Sequence, residues 1–354
     1  MADQTVDLTF SEDQLALRET LVDFLARECP TERVRSAEPL GFDLALWRQM
    51  EALGLPTIAV PEEMGGGGGT VLDLAIAAEE VGRCLAPVPF LDAAVANNLV
   101  AELALGDAEG PSLRLAEQTV AGSRLAAPAL RSSAHGTARL VPAGAVADVV
   151  LVLDGDDLVA VEGGVSPGSP AAPTPNLGSL PIADRRVDGE GRTVLCSGKS
   201  AVEAHRRAVD QWQLLMAAAL VGLGARALEI GVDYVQQRRA FGVVIANFQT
   251  IQHRLADTAT AVDGARLLAY EAAWAADQGL SSAPALARMA LVFAAETAFK
   301  SASDSLHFHG GYGYTLEYDI QLFFRRAKAW PLIFGDPARL YRDVADALLT
   351  AEVA

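Results

Sequence analysis

A mainly α protein with one small β module between two helical regions is the fold class that this sequence predicts, and three observations carry it. Helical periodicity sets in beyond Ser200 and holds almost to the end of the chain. Between about Val120 and Val187 that periodicity gives way to short, strand-like apolar runs. Before Pro89 the chain contains helices announced by capping and stop signals. The expected boundaries are an N-terminal helical domain over 1–119, a shortened β domain over 120–199, and a C-terminal four-helix bundle over 200–354.

The first element starts at Phe10-Ser11-Glu12-Asp13-Gln14-Leu15, where Ser11 is a cap, Gln14 its capping-box partner, and Phe10 and Leu15 a candidate staple. The helix it opens should reach about Cys29. Helical spacing follows over Asp43–Leu53, ended by Gly54, and over Val71–Leu85, with Pro87 and Pro89 as stops. Between these two, Pro61-Glu62-Glu63-Met64 runs into five successive glycines, Gly65 to Gly69, and reads as a loop because that much glycine costs a helix or strand too much backbone entropy. In the β region, 147–153 and 157–161 read as strands around the turn Asp154-Gly155-Asp156. Ser166 to Pro175 holds four prolines and is expected to be loop or edge. Four long helices are then expected, Val202–Arg238, Phe248–Gln278, Ala283–His309 and Pro337–Leu349.

Composition narrows the function. With 51% hydrophobic and 21% charged residues in 354, the chain can bury a large core. Its net charge of −17 argues against a nucleic-acid partner, which would require clustered Lys and Arg. Cys29, Cys84 and Cys196 are far apart and odd in number, so neither a disulfide framework nor a zinc site is indicated, and a reducing cytoplasm fits. The N-terminus carries Asp3, Asp7, Glu12 and Asp13 where a targeting segment would be basic. The run Leu214–Ala225 is shorter than the roughly 20 residues that span a bilayer, so a buried helix is expected there and no membrane. His307 and His309 lie two apart, which does not place both rings on one helical face, so no metal is expected.

Two motifs carry chemistry. One is Arg238-Arg239-Ala240-Phe241-Gly242 followed by Phe248-Gln249-Thr250-Ile251-Gln252-His253-Arg254-Leu255-Ala256-Asp257; the other is His307-Phe308-His309-Gly310-Gly311-Tyr312-Gly313-Tyr314-Thr315-Leu316-Glu317-Tyr318. Arg238 offers a planar, permanently charged fork suited to a pyrophosphate, Phe241 a flat apolar face beside it, and Gly310 and Gly311 a backbone that a ligand can approach. Each has a bland reading as well: a surface arginine, a core phenylalanine, a turn. With these motifs in this order, the sequence resembles the acyl-CoA dehydrogenase family over nearly its whole length, strongly in roughly the last 150 residues and weakly in the β module. The resemblance implies that Arg238, Phe241, Gln249, His307, Gly310 and Gly311 bind FAD, reaching across a subunit interface to the pyrophosphate and adenosine end of a neighbour's cofactor. It departs from the family at His307, where glutamine is common, and at Ala240, where a hydroxyl side chain often stands.

The resemblance also implies a reaction in which a glutamate removes the α-proton of an acyl-CoA thioester while the β-hydride passes to FAD. In the family that acid stands in one of two places, and here they read Phe334 and Trp212-Gln213. Asp336 and Asp210 are the nearby carboxylates; Asp336 before Pro337 also reads as the cap of the last helix. The β module likewise shows no counterpart of the family's loop over the flavin ring. The expectation is therefore a subunit that lacks its own base and completes the FAD site of a catalytically complete partner, as in bacterial α2β2 enzymes acting on steroid-derived CoA thioesters, with electron-transfer flavoprotein as acceptor. Two alternatives stay open. One is a self-sufficient dehydrogenase whose base is Asp336 or Asp210; the other is a cofactor-free structural helical bundle.

Overall fold

The computed structural model describes residues 6–107 and 109–351; Asp3 of the acidic N-terminal stretch lies outside them. The elements are α1 (Glu12–Glu28), α2 (Thr31–Ser36), α3 (Leu44–Ala52), α4 (Val71–Arg83), α5 (Phe90–Gly106) and α6 (Pro111–Val120), then β1 (Ala126–Pro128), β2 (Thr137–Val141), β3 (Val149–Asp154), β4 (Asp157–Glu162), β5 (Ala183–Arg186) and β6 (Arg192–Ser197). After them come α7 (Lys199–Gln237), the short strands β7 (Arg239–Ala240) and β8 (Val243–Val244), α8 (Gln249–Asp277), α9 (Ala283–His309), α10 (Ile320–Ala329) and α11 (Pro337–Ala351). The expected class, mainly helical with a small β region, is the observed one. Four helices carry no clear signal in the sequence: α2, α5, α6 and α10.

Local chemistry explains the boundaries. The Ser11 side chain accepts from the Gln14 N–H, and the Gln14 side chain accepts from the Ser11 N–H, so both halves of the capping box form. Leu15, however, stays 54% exposed, and the Phe10 ring packs edge-on against Tyr270. Asp43 caps α3 by accepting from the Leu46 N–H at 2.8 Å. The glycine run is loop, as its composition dictates, preceded by a single 3-10 turn over Glu62–Met64 that Gly65 ends with φ +84°.

The residues group into two compact units. One contains the chain up to Thr31, Ala75–Ala86 and everything from Gln213; the other contains Glu32–Leu74 and Pro87–Trp212. The second unit holds a four-stranded sheet in the order β1-β3-β4-β6, with β1 parallel to β3 and the other pairs antiparallel, and a separate β2-β5 ladder. The expected hairpin forms, but Asp154 belongs to the strand and faces Asp157, which leaves Gly155 and Asp156 as the loop. Its core joins Phe42 and Trp47 to Ala127, Val150, Val152, Val159 and Val161. The segment Ser166–Pro175 forms no strand.

The first unit is helical. Within it α4 crosses α7 so closely that a Cβ on Gly82 would lie 1.9 Å from the Ala219 carbonyl oxygen, and one on Gly222 would lie 1.8 Å from that of Glu79. Next to this crossing Glu79, only 3% exposed, accepts from Tyr270 Oη at 2.5 Å and Arg266 Nε at 2.9 Å. The α7 helix has an 18-residue window with mean hydropathy 1.7, and 72% of that window is buried within the protein, which suits a core helix. Leu214 to Ala225 is buried throughout, as expected for a core helix.

The crossing yields a prediction. Gly82→Ala should lower unfolding free energy by about 3 kcal/mol, because its methyl meets backbone that cannot give way. Gly106→Ala, where a Cβ meets nothing within 4 Å, should leave it unchanged or slightly raised. Urea midpoints at constant slope measure both; equal midpoints for the two variants would contradict the packing argument.

Candidate functional site

The ends of three helices in the helical unit bring the motif residues into one neighbourhood. Arg238 follows the last residue of α7, its N–H donating to Tyr234 O at 2.9 Å and its carbonyl accepting from Ile245 N at 2.9 Å. Its exposed guanidinium stands 5.9 Å from the centroid of the Tyr312 ring and makes no ion pair with any described residue. In a chain of net charge −17, this is a locally uncompensated cation.

Strands β7 and β8 pair Arg239 with Val244 and Ala240 with Val243, leaving Phe241 and Gly242 as a two-residue hairpin loop. Both have positive φ, +53° and +81°, as a type I′ turn requires. Glycine takes that conformation freely, whereas a phenylalanine is strained in it by about 1–2 kcal/mol. The strain is not offset by burial, since Phe241 is 94% exposed, its ring meeting that of Phe248 edge-on at 6.2 Å. Gln249 is the first residue of α8 and is exposed.

His307 lies exposed in the last turn of α9. It shares with Phe241 a groove of about 300 Å³ that also takes in Ala240, Phe248, Thr250 and Arg254. Gly310 ends α9 with φ +61° and ψ −139°, a conformation that favours glycine. A Cβ on Gly310 or Gly311 would meet no atom of this chain within 4 Å. At Gly311, which has no positive φ, neither backbone nor internal packing calls for glycine. Among the described residues no cluster of His, Cys, Asp or Glu could hold a metal.

The two stretches expected to supply an acid are also resolved. Phe334 follows a 3-10 turn over Pro331–Ile333. Asp336 is exposed and spends its Oδ1 on the Ala338 N–H at 3.0 Å, while its carbonyl accepts from Arg339 N, so it caps α11. Asp210 sits half-buried on α7 with a partner of its own. Trp212 is 1% exposed and donates its indole N–H to Asp92 Oδ1 at 2.8 Å. Gln213 is 2% exposed, and its Oε1 has no hydrogen-bond partner. Burial pushes the Asp92 carboxyl up to about 7, against the smaller opposing effect of the Trp212 hydrogen bond. Sequence reading missed Asp92, because its only signal was one charge in the first turn of an apolar segment.

Residues 11–109 match the family model for the acyl-CoA dehydrogenase N-terminal domain, and residues 203–349 match that for the acyl-CoA dehydrogenase C-terminal domain. The acyl-CoA dehydrogenase IpdE2 of Mycolicibacterium smegmatis is 32% identical over 335 residues, covering 94% of this chain and 97% of its own length. The chain belongs to the acyl-CoA dehydrogenase family. IpdE2 of Mycobacterium tuberculosis is 30% identical, with coverage of 95% of this chain and 97% of its own. Among solved structures, a chain of the ChsE4-ChsE5 complex from Mycobacterium tuberculosis superposes with TM-score 0.83 at 26% identity, covering 97% of this chain and 99% of that one. A chain of the Tcur3481-Tcur3483 steroid ACAD does so with TM-score 0.83 at 25% identity and the same coverage.

Acyl-CoA dehydrogenases are FAD-dependent oxidoreductases, and the group at the ends of α7, α8 and α9 can be tested for fit to the cofactor's pyrophosphate and adenosine end. An unpaired guanidinium, an aromatic face held outward and two glycines that nothing internal crowds are the donors and surfaces such an end requires. The residues fit. This acyl-CoA dehydrogenase chain departs from the family's common pattern at His307 and Ala240, where one or two hydrogen bonds of about 0.5–1.5 kcal/mol each are at stake.

Two outcomes are expected. Replacing Phe241 by Asn, which tolerates positive φ, should raise thermal stability slightly while weakening FAD binding; a rise in both would mean the ring has no role toward a ligand. For Asp92, a folded value near 7 against an ordinary 3.8 means the neutral form is favoured in the fold. Its contribution is therefore complete below pH 4 and is lost as pH rises through 7. Asp92→Asn should accordingly gain stability over the wild type as pH rises, by a few kcal/mol at most at pH 8, measured by denaturant titration at each pH.

Proposed function

We propose that this chain is the subunit of a heteromeric, FAD-dependent acyl-CoA dehydrogenase that lacks its own catalytic base. Its division of labour follows the regions 1–119, 120–199 and 200–354, the last supplying Arg238, Phe241, Gln249, His307, Gly310 and Gly311 to the FAD of a partner subunit. The reaction is α,β-desaturation of an acyl-CoA thioester, of steroid-derived class, in the cytoplasm, with electron-transfer flavoprotein as acceptor.

One observation carries the reading. By the family resemblance, Phe334 and the buried Trp212 and Gln213 stand where the family's acid would be, and Asp336, two residues beyond Phe334, already accepts from the Ala338 N–H. A base must reach the α-carbon at hydrogen-bond distance, and a shift of about 1 Å can cost roughly a hundredfold. Two solved relatives are themselves complexes of two differently named chains, one of them called a steroid ACAD, and this supports both the pairing and the substrate class.

When bound, FAD supplies the acceptor for the substrate's β-hydride. Arg238 neutralises diphosphate charge with a fork that keeps its charge at any working pH. Phe241 covers an aromatic or ribose face beside it, and the Gly310-Gly311 backbone admits close approach. His307, exposed at the edge of the same groove, offers a ring nitrogen as a further hydrogen-bond partner.

The chain expressed alone should hold little FAD and give no turnover, whereas co-expression with its complete partner subunit should give a yellow, active complex. In that complex Asp336→Asn should leave kcat unchanged, and Arg238→Ala should weaken FAD binding about 10- to 100-fold, the loss of a charge-assisted pair. Robust dehydrogenation by the chain alone would sink the proposal. A kcat that falls by orders of magnitude on Asp336→Asn would replace it with a self-sufficient enzyme.

A further inference from the structure

Beside the motif residues, four rings form a continuous stack that ends on Arg238. His309 is 4% exposed, and its Nδ1 lies 2.7 Å from the Ser305 carbonyl, a contact that sets the plane of the imidazole. That ring lies on Tyr234 with 3.8 Å between centroids and 24° between planes. Tyr318 meets both edge-on, at 5.4 Å from His309 and 6.2 Å from Tyr234. Tyr312 leans on Tyr318 at 5.9 Å, and the Arg238 guanidinium stands 5.9 Å from the Tyr312 centroid. The Arg238 N–H donates to the carbonyl of Tyr234, the residue at the other end of the stack. Backbone and side chain of Arg238 are thus both referred to one set of rings.

An exposed arginine gives up rotamer freedom when it grips an anion, and a fork already held in place gives up less. Tyr312, 51% exposed, could not hold that fork unless its own ring were held from beneath. Tyr318 does so, and Tyr318 in turn rests against the buried His309 and Tyr234. Burial keeps the His309 imidazole below its ordinary titration range, so it packs as a neutral plane and does not repel the nearby guanidinium.

We propose that His309, through the stack of Tyr234, Tyr318 and Tyr312, is a positioning residue that holds the Arg238 fork in the orientation that grips an anionic diphosphate. This rests on the cofactor reading above. His309 touches neither cofactor nor substrate in this role; it acts through Arg238.

The test uses the co-expressed complex and follows flavin release by fluorescence after dilution, with no need of turnover. His309→Leu and Tyr312→Leu should each speed release about tenfold, the cost of ordering one long side chain anew. His309→Phe keeps a ring plane and should return release to within about twofold of wild type. In an Arg238→Ala background the two leucine changes should add nothing, since their effect passes through the missing guanidinium. Should His309→Leu fail to fold, the surface change Tyr312→Leu decides alone. Leucine variants without effect, or with the same effect whether or not Arg238 is present, would overturn the positioning role and leave the cofactor reading intact. An Arg238→Ala variant that releases flavin at the wild-type rate would overturn the cofactor reading itself.

Discussion

The helical unit depends on how closely α7 can be approached. Gly82 and Gly222 bring α4 against it, and Gly224 and Gly231, seven residues apart, do the same for α9 at Ala298 and Ser305, also seven apart. Equal heptad spacing on the two helices keeps their contacting faces in step over two turns. Ser301 completes the seam by donating to the Gly224 carbonyl at 2.6 Å, which a longer side chain at 224 would disrupt. With the register so fixed, the C-terminal ends of α7 and α9 arrive together: Arg238 faces the Tyr312 ring, and His307 shares a groove with Ala240 and Phe241. Glu79 secures the same unit from another direction, because a carboxylate 3% exposed must keep its partners Arg266 and Tyr270 or forfeit about 3–5 kcal/mol.

Much of this architecture is legible in the sequence where local chemistry decides it. Ser11 with Gln14 marks one helix start and Asp43 another, and Asp154-Gly155-Asp156 marks the hairpin. What escapes reading is what tertiary packing decides. In α5, Phe90, Leu91, Ala93, Ala94, Val95 and Ala96 are all buried, so the helix has no polar face and its 3.6-residue rhythm vanishes from the sequence. Strands β7 and β8 are two residues each, too short to show alternation, and β1 pairs in parallel with a strand more than 20 residues away.

The candidate site divides in the same way. Arg238, Phe241 and the glycines belong to contiguous motifs, and it is the family resemblance carried by those motifs that points to them. The stack behind Arg238 draws on Tyr234, His309, Tyr312 and Tyr318, whose relation exists only once α7 and α9 are packed. Asp92 and Trp212 are 120 positions apart, and nothing in either neighbourhood announces the other. Asp336 is a middle case: the sequence offers it both as a cap and as a base, and its hydrogen bond to Ala338 N is what a cap makes.

A base and a cofactor grip are separable requirements in this fold, because different elements provide them. Phe334, where the family resemblance places the acid, lies on the turn after α10, while the proposed grip is assembled by the ends of α7, α8 and α9. A change at that turn therefore need not alter the residues of the grip. The converse also follows. Phe241 keeps a strained backbone and a ring 94% exposed to water, and within its own unit neither feature is repaid by packing. Tyr314 at 71% and Leu316 at 78% are further large apolar side chains of the same unit left open to water. An outward aromatic kept at the expense of local stability makes physical sense under the proposed function, in which that surface is covered by a second subunit whose cofactor it helps to hold.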